Sequence, residues 1–139
     1  MSQRIHLDAN VILRFLRNDD PKQTQAAAKL FQKAASGKAA LFVSAVTIGE
    51  VFYAFTSSYK LSQRDAAEKL LPFIRSGTVE VEHESSLVDA LQKVSATGVD
   101  FGDAYLAATA ASANDLVASF DHDFKKFKDA KLYEFDGKN

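Results

Sequence analysis

Short apolar runs alternate along this chain with stretches of helical spacing, and two of those runs stop on an acid. Arg4 to Leu7 is a strand-length run with Ile5 and Leu7 on one face, ending abruptly at Asp8. From Asn10 the period changes: Val11, Ile12, Phe15 and Leu16 fall at helical spacing, with Arg14 and Arg17 on another side. Ala39 to Val43 suits a buried strand, and Thr78 to Glu82, alternating β-branched and acidic residues, suits an edge strand with one wet face. Leu116 to Phe120 is a further apolar strand ending on Asp121, and Leu132 to Phe135 supplies the last. Helices are expected between them. One runs from Pro21, capped by Asp20, to about Gly37; another follows Ser44; a third spans Ser62 to Ser76 and is interrupted near its end by Pro72; a fourth spans Glu84 to Thr97 and is closed by Gly98. Such alternation, without repeat or linker, predicts an α/β domain over residues 1–139 with a parallel sheet covered on both faces.

The stretch VDFGDAYLAATA, Val99 to Ala110, carries the chemistry into this frame. Asp100 caps its helix and Asp103 sits in the first turn, near the partial positive charge of unpaired N–H groups. Capping alone would explain both acids, but lone acids recur at the edges of apolar runs at Asp8, Glu50 and Asp121. Glu50 is the only charged residue between Leu41 and Tyr59. With Ser44 as cap it lies well inside its helix beside Val46, Tyr53 and Ala54, where an unpaired charge is costly. Glu80, Glu82, Glu84 and Asp89 read as solvated charge.

Asp8 and Asp121 end strands, while Glu50 and Asp103 lie early in helices, so a parallel sheet gathers all four at one edge. Two carboxylates 4 to 7 Å apart repel by roughly 2 to 4 kcal/mol at an effective dielectric near 20. Protonation or a cation must relieve such a site. Oxygen ligands alone select a hard ion, Mg²⁺ or Mn²⁺. The chain has no cysteine, and His6, His83 and His122 are scattered, which disfavours zinc. A divalent ion held by acids and facing solvent suits in-line hydrolysis of a phosphodiester, with no covalent nucleophile required.

Composition limits the partners. A formal charge of −1 excludes a binder whose affinity for polyanions rests on bulk charge, so a phosphate backbone would be held locally. Arg14 with Arg17, and Lys125 with Lys126, are the candidate substrate contacts, although each cluster is also what a solvated face looks like. The absence of cysteine fits a reducing cytosol. Neither a signal peptide nor a membrane span is evident, which predicts a soluble cytoplasmic protein.

LDANVILRFL, SAVTIGEVFYAF, VDFGDAYLAATA and SFDHDF, in that order, resemble the PIN-domain ribonucleases, in particular VapC-like toxins of toxin–antitoxin pairs. The resemblance covers essentially the whole chain. It implies that Asp8, Glu50, Asp103 and Asp121 form an acidic metal site, that Asn10 and Ser119 support it by hydrogen bonding, and that Asp100 and Asp123 are supplementary acids. It further implies a three-layer αβα sandwich with a mainly parallel five-stranded sheet, Mg²⁺- or Mn²⁺-dependent endonuclease action on RNA, homodimers, and a small antitoxin as partner. Ala9 departs from the pattern, standing where many relatives carry a hydroxyl residue. Two alternatives are weighed against this reading. A haloacid-dehalogenase-like phosphatase also begins at a strand-ending aspartate but needs a second Asp two residues on, where this chain has Asn10. A PIN-like module that binds RNA or protein without cutting would have no reason to keep all four acids.

Overall fold

The structure, a computed structural model, describes residues 3–136. The elements run β1 (Arg4–His6), α1 (Ala9–Arg17), α2 (Pro21–Ala35), β2 (Ala40–Val43), α3 (Ala45–Ser57), α4 (Gln63–Arg75), β3 (Val79–Val81), α5 (Glu84–Thr97), α6 (Phe101–Ser112), β4 (Leu116–Val117), a 3₁₀ turn (His122–Lys126) and β5 (Lys131–Leu132).

Every α-helix except α5 begins at a side-chain cap. Asp8, Asp20, Ser44, Ser62 and Asp100 occupy N-cap positions in extended backbone and accept N–H bonds from the first turns of α1, α2, α3, α4 and α6. Pro21 sits in the first turn of α2, where its missing N–H costs nothing. Pro72 does not interrupt α4, which runs on to Arg75; the proline lies three residues from the helix end on the exposed side. α5 ends at Gly98 with φ 75°, and the Arg64 guanidinium lies 3.4 Å from where a β-carbon would stand.

β1, β2 and β3 form a parallel ladder with β2 in the centre, Ile5 opposite Leu41 and Leu41 opposite Val79. β4 and β5 form a second parallel pair, with Leu116 opposite Lys131. All pairings are parallel, as expected, but the single five-stranded sheet divides into ladders of three and two strands among the described residues. Two strands are also shorter than their apolar runs. β4 stops at Val117 and β5 at Leu132, so Phe120 and Phe135 lie beyond the ladder. Ile5 is 41% exposed despite its place in β1.

The core is the junction of sheet and helices. Leu41, Val43, Val79 and Val81 from the strands meet Ile12, Ile48, Val51, Phe55, Leu70, Ile74, Leu87, Leu91 and Val94 from the helices. α6 contributes only Ala104, Ala107 and Ala108 to this interior. Those small side chains let its backbone approach α5 closely, which seats its N-terminus firmly against the scaffold.

Candidate active site

Asp103, Asp121 and Asp123 converge. Each can offer one carboxylate oxygen such that the three oxygens lie within 4.8 Å of one another. Asp103 comes from the first turn of α6, and Asp121 and Asp123 from the 3₁₀ turn that follows β4. The acids thus reach one place from two separate parts of the fold.

A local device orients Asp121, and the same device acts on two acids outside the trio. Asp121 Oδ1 accepts the Asp123 N–H at 2.8 Å, and the Asp121 N–H donates to Ser119 Oγ at 2.9 Å. Asp100 Oδ2 accepts the Gly102 N–H at 2.9 Å, and Asp8 Oδ2 accepts the Asn10 N–H at 3.2 Å. In each of these three acids one oxygen is fixed on the backbone two residues ahead, leaving the other free.

The electrostatics are unfavourable as they stand. Partial burial pushes the Asp103 carboxyl above its ordinary value, and the charges of Asp100, Asp121 and Asp123 add to the rise. Among the described residues the cation paired to the trio is Lys126, whose Nζ lies 3.2 Å from Asp123 Oδ1 with both side chains about half exposed. At 4.8 Å a carboxylate pair repels by about 1 kcal/mol at water's dielectric and about 3.5 kcal/mol at an effective value of 20. Three such pairs are a sizeable fraction of the roughly 5 to 15 kcal/mol that holds a domain folded.

The remaining sequence-predicted residues fall in different places. Asp8 ends β1 as the cap of α1, outside the trio, and Asn10 touches it through its backbone N–H. Glu50 is also outside the trio, and the expected burial of its charge is corrected. It is exposed, on a face of α3 whose neighbours Val46 and Tyr53 are 74% and 70% exposed, while Ile48, Val51, Phe52 and Phe55 face the core. Asp123, expected only as a supplementary acid, stands within the trio. Arg14 is occupied by Gln23 at 2.7 Å and Asp19 at 3.5 Å, and Arg17 lies over the Tyr59 ring at 4.3 Å. Lys125 lines a cleft beside Asp121.

Two features escaped the sequence reading. Glu82 is not a solvated charge: it is half-buried, its Oε1 accepts the Ala45 N–H at 2.9 Å, and with partial burial it holds the Tyr105 hydroxyl above its ordinary value. Its position at the end of a strand, like Asp8, was the available signal. The cleft beside Asp121 was missed because Phe120 and Phe135 read as strand residues.

Three carboxylates that converge in an α/β domain make an arrangement suited to holding a divalent ion. The family described as PIN domain matches residues 5–130, and the chain belongs to that family. PIN domains are generally nucleases and often depend on a divalent metal. No curated protein gives a significant match to the chain. Membership sets aside the phosphatase alternative. No helix among the described residues is long and apolar enough to cross a membrane.

Proposed function

We propose that the protein is a divalent-metal-dependent endoribonuclease that hydrolyses RNA phosphodiester bonds, and that it is the toxin of a toxin–antitoxin pair. The observation that carries the enzymatic part is the approach of Asp103, Asp121 and Asp123 oxygens to within 4.8 Å, with Lys126 the sole cation paired to them among the described residues. A donor set made only of carboxylate oxygens, with its central acid raised in pKa by burial and like charge, fits a hard divalent ion, Mg²⁺ or Mn²⁺. When bound, such an ion supplies a Lewis acid that lowers the pKa of water and offsets charge at phosphorus.

The protein's part is placement. Asp103 is held by a helix seated on small residues, and Asp121 by bonds to Ser119 and Asp123 that leave its second oxygen free. Asp8 and Glu50 join the proposed set through the motifs they share with the family. Lys125 and Lys126 are the better-placed substrate contacts, since Arg14 and Arg17 are engaged within the scaffold. The toxin role, the homodimer, the small antitoxin partner and a cytoplasmic location rest on the resemblance of the four motifs to VapC-like proteins.

The purified protein should cut RNA with Mg²⁺ or Mn²⁺, stop in excess chelator, and resume when manganese is restored. Cutting that persists in chelator refutes the metal reading. Binding without cutting, with metal supplied, favours a silent module. For the toxin role, a gene for a small DNA-binding protein beside this one should relieve growth arrest when co-expressed; expression without any arrest refutes it.

A further inference from the structure

Immediately beside the acidic trio is a cleft of about 1030 Å³ that shares Asp121 with it. Phe120, the residue before Asp121, is 77% exposed at its wall, an unusual place for a phenylalanine ring. The ring is not loose: it stacks on Phe135 with centroids 4.5 Å apart and planes 20° apart, and Tyr133 meets Phe135 edge-on at 5.1 Å. The Tyr133 N–H donates to the Val117 carbonyl at 2.8 Å, which pins this aromatic group to β4. The result is a braced flat surface one residue from a carboxylate of the trio.

The charge of the cleft says what suits it. The lining carries three carboxylates, Asp121, Glu134 and Asp136, against the single lysine Lys125, so it offers a phosphate little beyond that lysine and its aromatic wall suits an uncharged flat group. A chain of net charge −1 also cannot hold RNA by bulk charge and needs another source of affinity. Stacking on aromatic rings supplies it for unpaired bases, whose faces are free, and not for bases inside a duplex. We infer that Phe120, braced by Phe135, is the platform on which a nucleobase next to the scissile phosphate stacks, so that the strand is recognised single-stranded at this point. The inference rests on the nuclease reading and adds the site that selects the form of the RNA.

The chain has no tryptophan, so Phe120→Trp places a single reporter on the platform. Built into an Asp103→Asn background with Mn²⁺ present, its fluorescence should be quenched saturably by a single-stranded oligoribonucleotide. A duplex of the same length, or a strand carrying abasic sites, should quench it far less. Phe120→Ala should bind the single strand about 10- to 100-fold more weakly and raise KM more than it lowers kcat, with Phe120→Tyr restoring both and circular dichroism unchanged. Equal quenching by the abasic strand, or undiminished binding by Phe120→Ala, overturns the inference. So does a change from dimer to monomer in Phe120→Ala with RNA affinity intact, which makes the surface a contact between copies. If the wild type cuts RNA while Phe120→Ala cuts it equally well, the platform falls and the nuclease stands. If base-dependent quenching occurs while the wild type never cuts, the platform stands and the nuclease falls.

Discussion

Asp103 concentrates the conflict between stability and function in one side chain. Its folded-state pKa lies above the ordinary value because of partial burial and three neighbouring acids. A carboxyl raised in this way favours the folded state when protonated, so folding weakens as pH climbs from the ordinary carboxylate range through the raised value. Asp103→Asn should therefore be more stable than the wild type at pH 7 in chelator, by on the order of 1 kcal/mol after allowance for solvent screening. The difference should shrink as pH falls toward 4, while RNA cleavage drops at least a hundredfold. Paired chemical denaturation curves at pH 7 and pH 4 check the first statement. A destabilised variant at pH 7 contradicts the repulsion argument. The fixed oxygen of Asp100 was legible from sequence, because a carboxylate that caps the N–H two residues ahead is local chemistry, whereas Asp121 read only as the end of a strand. The trio was legible only in part, since the side chain of Asp123 converges through the shape of the 3₁₀ turn rather than through any pattern of spacing.

Among the elements, α3 shows what a residue pattern can and cannot reveal. Ser44 as its cap followed from position, and the structure has Ser44 Oγ accepting the Thr47 N–H at 3.2 Å. The burial of Glu50 did not follow, because Val46 and Tyr53 are apolar yet turn outward, leaving the core to the opposite face. The second cap of α3 comes from outside the helix, where Glu82 accepts the Ala45 N–H. Glu82→Ala should leave that donor unpaired and cost about 1 to 2 kcal/mol, while Glu82→Gln, which keeps an acceptor, should recover most of it. Removing the Glu82 charge in either variant should also bring Tyr105 down toward its ordinary pKa, which ultraviolet titration of the tyrosines reads. A helix unaffected by Glu82→Ala would make the contact incidental. The bounds of α5 matched the sequence closely because its apolar stripe and Gly98 mark them unambiguously. β4 and β5 were overestimated because an apolar run does not say where its ladder partner ends.

For the molecule as a whole, the attachment of the C-terminal segment matters most to the site. Lys93 on α5 binds Asp129 at 2.9 Å and Asp89 at 3.0 Å, with only 13% of its side chain exposed. Burial pulls its pKa down, but the bonds to Asp129 and Asp89 outweigh that and raise it. A raised lysine contributes stability that is complete below its unfolded value and is lost as pH rises through the folded one, so this clasp should open only at strongly alkaline pH. Lys93→Ala leaves Asp89 and Asp129 facing each other unpaired and should cost about 1 to 3 kcal/mol. Hydrogen exchange should rise first around β5 and the 3₁₀ turn; uniform exchange across the fold would show that the clasp anchors nothing in particular.

Asp103 stands at the start of α6 while Asp121 and Asp123 stand in the turn after β4, so the trio brings together two segments that the chain separates. A doubly charged guest seated among them would act as a rivet between those segments. The melting temperature should then climb with the logarithm of manganese concentration above the dissociation constant, and Asp103→Asn should flatten that climb. On this view the same oxygens that would hold the ion also tie two chain segments together, and the protein starved of metal would lose activity and firmness at once.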